Sequence, residues 1–152
     1  MASSKLELLK KTLTHNGYSY TKARAETFRL LQEAEPQSMR EILVKAAGKV
    51  DRVSVYRNID IFEKIGIVHR IYIGWKYKLE LSDQFMGHHH HLSCLQCGKV
   101  IDIEDETHID DFIKSIAKQF DFIPQSHQFE VAGYCANCAR KKTQITETKV
   151  NS

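Results

Sequence analysis

Three features of the sequence predict an α+β chain, built as an N-terminal winged helix-turn-helix domain followed by a small α/β domain. Apolar residues recur at helical spacing through the first half and then give way to a β-hairpin pattern. All four cysteines and a run of four histidines fall in the second half. The charge also changes sign: residues 1–81 carry fifteen Lys and Arg against nine Asp and Glu, a balance of +6, and residues 82–152 carry seven against ten, a balance of −3. A length of 152 residues accommodates one ordinary domain or two small ones. The composition shift at Ser82 to Gly87 sets the boundaries, with 1–82 the first domain, 83–87 a hinge and 88–152 the second domain.

Leu6, Leu9 and Leu13 share one face of a first helix; Ala25, Phe28, Leu31 and Ala34 share one face of a second, closed by Pro36. Ser38 opens a third, with Glu41 placed to complete a capping box and Gly48 to end the helix. Across residues 53–65, Val55, Ile59, Phe62 and Ile65 line one face of a fourth helix stopped by Gly66, and its other face carries Tyr56, Arg57 and Asn58. Two β-rich runs, 67–73 and 76–81, flank Gly74 and Trp75, a two-residue hairpin turn. In the second half, 90–94 and 99–103 read as strands around a Cys-Gly turn, 110–120 as an amphipathic helix and 127–135 as a further strand. Beyond Arg140 the tail is polar and expected to fray.

Hydrophobic residues at 42% and charged residues at 27% match globular averages and argue against disorder or a fibrous repeat. No run approaches the roughly 20 apolar residues of a spanning helix, and the N-terminus MASSKLELLKK lacks the apolar core of a signal peptide. A cytoplasmic protein with no membrane partner is therefore expected. A basic half can use the nonspecific attraction of phosphate, whereas an acidic half rich in His and Cys suits cations.

The cysteines form two pairs, Cys94 with Cys97 and Cys135 with Cys138, each CxxC. A CxxC turn lets two sulfurs converge on one ion, and a second such knuckle closes a tetrahedral sphere, so a structural Zn(II) is expected. Two disulfides or a redox dithiol are the alternatives; disulfides are disfavoured in a cytosolic chain, and no thioredoxin-like βαβ pattern surrounds either pair.

His88 to His91 precede the first knuckle. On a strand, alternate residues face opposite ways, so His89 and His91 would point to one side and His88 and His90 to the other, serving two metal sites. A solvated polar loop or a tag remnant is the alternative, the latter disfavoured by the β-forming flanks. Glu80, Asp102, Glu104, Asp105, Asp110, His108 and His127 are the further candidate ligands. Mixed imidazole and carboxylate ligation suits Fe(II), Mn(II) and Zn(II) alike.

Tyr56, Arg57 and Asn58 lie on the outer face of the fourth helix in the basic half. Arg can grip guanine with two hydrogen bonds, an aromatic ring can pack on a thymine methyl, and the wing can lie along phosphate. Otherwise these are simply solvated residues of an exposed helix.

Taken in order, TKARAETFRLL, VSVYRNIDIFEKIGIV, HHHHLSCLQCGKVIDI and HQFEVAGYCANC resemble the ferric uptake regulators from about residue 10 to 140. The resemblance implies a homodimer, joined through the second domain, that represses transcription by binding palindromic AT-rich double-stranded DNA operators when a regulatory metal is present. It implies that Cys94, Cys97, Cys135 and Cys138 hold structural zinc. It assigns Glu80, His89, His91 and Asp102 to a regulatory site taking Fe(II), Zn(II) or Mn(II), and His88, His90, Asp110 and His127 to an additional site. Tyr56 and Arg57 match base-contacting positions and Arg24 a backbone contact; Lys22, Ser54 and Asn58 complete the DNA-facing set. The sequence departs from the pattern at two places. Pro36 or Gln37 stands where a further regulatory histidine is common, and Ser19 stands where some members place a minor-groove lysine.

Two other classes compete. A zinc-dependent hydrolase or deaminase would use the histidine run with Glu80 or Glu104 as base, but neither CxxC is preceded by Pro and no HxE occurs. A zinc-ribbon adaptor that binds a protein partner would have no need of the Tyr56-Arg57 helix.

Overall fold

The computed structural model describes residues 2–32, 35–103, 106–125, 127 and 129–141. It divides into two compact units, Met1–Gly87 and His88–Ser152. The first holds α1 (Ala2–His15), α2 (Lys22–Leu31), α3 (Met39–Ala46), α4 (Arg52–Lys64), β1 (Val68–Ile73), β2 (Lys76–Leu81) and α5 (Asp83–Met86). This is a winged helix-turn-helix. Its core gathers Leu9 and Leu13 from α1, Phe28 from α2, Ile42 from α3, Ile59 and Phe62 from α4, and Leu79 and Leu81 from β2. These are the positions that helical and alternating periodicity place inward.

The helix starts follow local chemistry. Thr21, Ser38 and Asp51 cap α2, α3 and α4, each accepting from a backbone N–H three residues on. At α3 the box is reciprocal, because the Glu41 carboxylate accepts from the Ser38 N–H at 2.7 Å. The Ser38 hydroxyl and N–H together hold the Glu41 carboxyl below its ordinary value. A lowered folded pKa makes this contribution present above the unfolded value and lost as pH falls through the folded one. Ser38→Ala is expected to cost about 1 kcal/mol in urea unfolding of the first unit, an effect that shrinks in acid.

Two boundaries in the first unit differ from expectation. The second helix ends at Leu31, capped by Gln32, rather than running on to Pro36, and Ala34 lies outside the described residues. The expected hinge at 83–87 is instead the short helix α5, which belongs to the first unit. Phe85 is the reason: it is buried, with its ring 5.0 Å from that of Phe28, edge to face. An apolar anchor of that size overrides the polar composition around it.

The second unit holds β3 (His90–Cys94), β4 (Val100–Ile103), α6 (Glu106–Gln119) and β5 (Glu130–Gly133), with residues 136–141 helical. The strand order is β4-β3-β5, with β4 antiparallel and β5 parallel to the central strand. Helix α6 starts four residues before the expected Asp110, and β5 is shorter than the run 127–135. The tail from 142 onward lies outside the described residues. Apolar side chains stay uncovered at Phe112, Ile116, Phe120, Phe122 and Ile123, the last 79% exposed.

Candidate metal centres and nucleic-acid interface

Sheet register brings the cysteines together. Cys94 ends β3 opposite Gly133 of β5, so the chain leaving β5 delivers Cys135 beside it. The turn after β3 carries Cys97 and closes at Gly98, whose φ of +73° a residue with a Cβ rarely adopts. The four sulfurs lie within 4.8 Å of one another, and Cys97 Sγ is 3.9 Å from Cys135 Sγ. Ligands held about 2.3 Å from one tetrahedral ion lie about 3.8 Å apart.

All four cysteines are free thiols. The Cys135 N–H donates to Cys94 Sγ at 3.3 Å, and with the Cys97 N–H it holds the Cys94 thiol down to about 6. The opposite holds at Cys138, where the Cys135 sulfur pushes the thiol up to about 12. Crowded thiolates repel, so full ionisation of this cluster requires a cation. The donor set fits Zn(II).

The histidine run alternates as expected, although only His90 and His91 lie within β3. The His88 and His90 rings meet edge to face at 4.7 Å on one side, and those of His89 and His91 at 4.7 Å on the other. On the first side, Asp110 of α6 and His127, three residues before β5, complete a group whose ligand atoms lie within 4.8 Å. His88 Nε2 is 3.0 Å from His127 Nε2, and the Asp110 carboxylate is 3.5 and 3.2 Å from those two nitrogens. His90 is 1% exposed, and its Nε2 has no hydrogen-bond partner among the described residues. Burial, then His88 and His127, lower its pKa and favour the neutral, metal-ligating imidazole. An orphaned buried nitrogen beside two imidazoles and a carboxylate fits a divalent transition metal. His108 is exposed on α6 and outside this group, and Glu104 and Asp105 lie outside the described residues.

On the second side, His91 Nε2 is 3.7 Å from Asp102 Oδ1, since the two residues are register partners on β3 and β4. In the first unit, Glu80 is buried on β2, with its carboxylate 3.3 Å from His69 Nε2 across the hairpin. His69 was not singled out in the sequence; its position directly opposite Glu80 in the hairpin register was the available signal.

Gln37 stands in the region where the resemblance has an extra histidine. It is buried, its Nε2 donates to the Leu30 carbonyl at 2.7 Å, and its Oε1 accepts from Lys45 at 2.8 Å. Its backbone also exchanges two hydrogen bonds with Leu79. The side chain ties α2 to α3, and the backbone ties the same residue to β2.

On α4, Tyr56 and Arg57 are exposed as expected, with Tyr56 at 40%. Asn58 corrects the sequence reading. It is 6% exposed, and its Nδ2 donates to Thr27 Oγ1 of α2 at 3.0 Å, because the fourth helix turns that position toward the second. Lys22 is exposed at the start of α2, and half-buried Ser54 donates its N–H to Asp51. Arg24 Nη1 donates to the Ser19 carbonyl, and the guanidinium sits 5.7 Å from the Tyr18 ring centre. Arg52, also missed in the sequence, opens α4 and lies 5.9 Å from the Tyr56 ring centre. A cation at the start of a candidate reading helix was a signal for it.

A sequence profile described as the ferric uptake regulator family matches residues 15–132. The ferric uptake regulation protein of Yersinia pestis is 32% identical over 136 residues, spanning 84% of this chain and 90% of that protein. Among solved structures, the Helicobacter pylori ferric uptake regulator, described with three functional metal binding sites, aligns at a TM-score of 0.75 and 26% identity, over 91% of this chain and 94% of that one. The Vibrio cholerae ferric uptake regulator, described with a rearrangement of its DNA-binding domains, aligns at 0.67 and 31% identity, over 83% and 98%. With a profile match over most of its length and relatives above 30% identity across four fifths of it, this chain belongs to the ferric uptake regulator family.

Proposed function

We propose that this chain is a metal-dependent transcriptional repressor that binds a palindromic, AT-rich double-stranded DNA operator as a homodimer. The supporting observation is one chain that pairs an exposed Tyr56-Arg57 helix face in a basic winged helix with separate thiol and imidazole-carboxylate clusters. The zinc hydrolase and zinc-ribbon adaptor readings account for the metal ligands but not for that helix face.

Cys94, Cys97, Cys135 and Cys138 would hold a structural Zn(II), which supplies a cross-link rather than a reaction centre because four thiolates leave no open position. The metal sites described for the Helicobacter pylori relative support assigning two further sets here. His88, His90, Asp110 and His127 form the additional one, and Glu80, His89, His91 and Asp102 the regulatory one. For the sensed ion, Fe(II), Mn(II) and Zn(II) all suit imidazole and carboxylate, and with every cysteine committed elsewhere the donors lean toward iron. The uncovered Phe112, Phe120 and Ile123 supply an apolar surface for a second copy. Glu80 belongs to the first unit and His89, His91 and Asp102 to the second. Binding by all four would fix the angle between reading helices in a dimer, so that both meet successive major-groove faces about one helical turn or a multiple apart.

The test is a gel shift with and without added metal. Arg57→Ala is expected to cost roughly 1–3 kcal/mol on a specific duplex and little on random DNA at the same salt. Equal losses on both would make Arg57 a phosphate contact, and a wild-type shift indifferent to metal would remove the regulatory reading.

A further inference from the structure

Trp75 is the one tryptophan of the chain, and it is 92% exposed at the tip of the β1-β2 hairpin. Nothing in the fold requires it. Gly74, with a φ of +63°, occupies the first central position of the two-residue turn, and such a turn restricts the second position far less. A smaller polar residue would serve the turn without exposing an indole, the largest apolar side chain available. Its neighbour in the structure is a cation: Lys76 Nζ lies 5.2 Å from the ring centre.

The hairpin behind the tip is stiffened and fastened to the reading helix. Tyr72 and Tyr77, register partners, pack at 6.5 Å, and the Arg70 guanidinium lies 4.3 Å over Tyr77. The same guanidinium forks onto the Glu63 carboxylate of α4 at 2.5 and 2.8 Å. A bidentate pair of this kind fixes orientation as well as distance. From this clamp the tip projects along β1 by roughly 16 Å, at about 3.3 Å per residue. That reach exceeds the ~12 Å width of a major groove.

We propose that Trp75 and Lys76 form a second DNA contact, in which the indole packs on the deoxyribose edge flanking the groove read by α4 and Lys76 pairs with the adjoining phosphate. This rests on the DNA-binding reading above and adds a positioning residue to it. Charge selects the occupant: Arg70, Lys76 and Lys78 make the hairpin basic within a half of net charge +6, which suits a polyanion and opposes a second copy of the same face.

The single tryptophan makes the contact directly observable. Full-length protein, zinc-loaded and supplied with Mn(II), is titrated with a fluorescein-labelled duplex selected from a randomised pool, and with that pool itself. Anisotropy reports binding while Trp75 emission and its quenching by acrylamide report the indole. Expected are quenching of Trp75 emission and a several-fold fall in acrylamide access at saturation. Affinity for the selected duplex should fall about tenfold in Trp75→Ala, with partial recovery in Trp75→Phe. Circular dichroism of both variants checks the fold, which a 92% exposed side chain does not support. Saturable binding with unchanged emission, unchanged acrylamide access and a Trp75→Ala affinity equal to wild type overturns the contact and leaves the DNA-binding reading standing. Emission that changes with protein concentration but not with duplex makes the tip a protein-protein surface and also overturns it. Failure of the wild-type protein to bind any selected duplex overturns the DNA-binding reading, and this contact with it.

Discussion

Cys97→Ser is expected to leave purified protein with less than one zinc per chain and to unfold the second unit while the first remains folded. The asymmetry follows from where each unit gets its stability. The first has a core of fully buried Leu, Ile and Phe side chains from four helices and the wing. In the second, Cys94 and Ala117 are the only buried apolar residues among those described. Structural zinc sites contribute apparent binding energies of about 10–16 kcal/mol at neutral pH, and that energy becomes folding energy where the site does not exist in the unfolded chain. The pH dependence has a definite sign. Without a cation Cys138 keeps its proton up to about 12 while Cys94 loses its own at about 6. Zinc therefore displaces protons as it binds, and its affinity rises with pH. Metal content by atomic emission, and near-UV and far-UV circular dichroism before and after a strong chelator, measure these effects. Four thiols that alkylate in the native protein as fast as free cysteine, with no zinc released, would remove the structural site.

How far the sequence reached is best judged at particular residues. Periodicity read α1, α3, α4 and the hairpin closely, because each segment is amphipathic, is punctuated by a cap or glycine, and needs no distant partner to define it. The alternation of His88 to His91 was legible for the same reason, since which side a residue faces is a local property of extended backbone. Asn58 was misread because its neighbours Tyr56 and Arg57 face solvent and helical wheel position alone separates them weakly; only the packing of α4 on α2 reveals that its amide meets Thr27. The segment 83–87 reads as a hinge because a short polar stretch resembles a linker until its one aromatic side chain, Phe85, packs against Phe28. The parallel pairing of β5 on β3, which brings Cys135 to Cys94, is a long-range choice with no local signature. The two CxxC pairs nonetheless implied the convergence, since four cysteines proposed to share one ion would have to meet however the chain arranges it. Gln37 shows the converse, a departure visible in sequence whose consequence is structural: the side chain is already bonded to Leu30 and Lys45.

The regulatory switch is expected to depend on His89 and not on His90. The two are adjacent in sequence but their rings contact different partners, His89 meeting His91 and His90 meeting His88 and His127. If a metal binds the DNA-competent arrangement of the units about 100-fold better than the alternative, it contributes roughly 2.7 kcal/mol of coupling toward operator binding. Operator must then tighten the metal by the same factor, which gives two independent measurements of one quantity. Ligands drawn from both units would supply such coupling directly, and Glu80 is the proposed contribution of the first. With Pro36 or Gln37 standing where the resemblance implies a further histidine, and with Gln37 already engaged in hydrogen bonds, the first unit is expected to supply one ligand fewer. The coupling should accordingly be weaker than in a five-ligand relative. The measurement is operator affinity for wild type, His89→Ala and His90→Ala, each titrated with Fe(II), Mn(II) and Zn(II) after confirming that one zinc per chain remains. His89→Ala is expected to bind operator equally with and without added metal. His90→Ala is expected to retain most of the metal response while losing stability, since it removes a buried imidazole from the additional cluster. If His89→Ala instead keeps the full response and His90→Ala loses it, the switch lies with His88, His90, Asp110 and His127, and the roles of the two sets are exchanged.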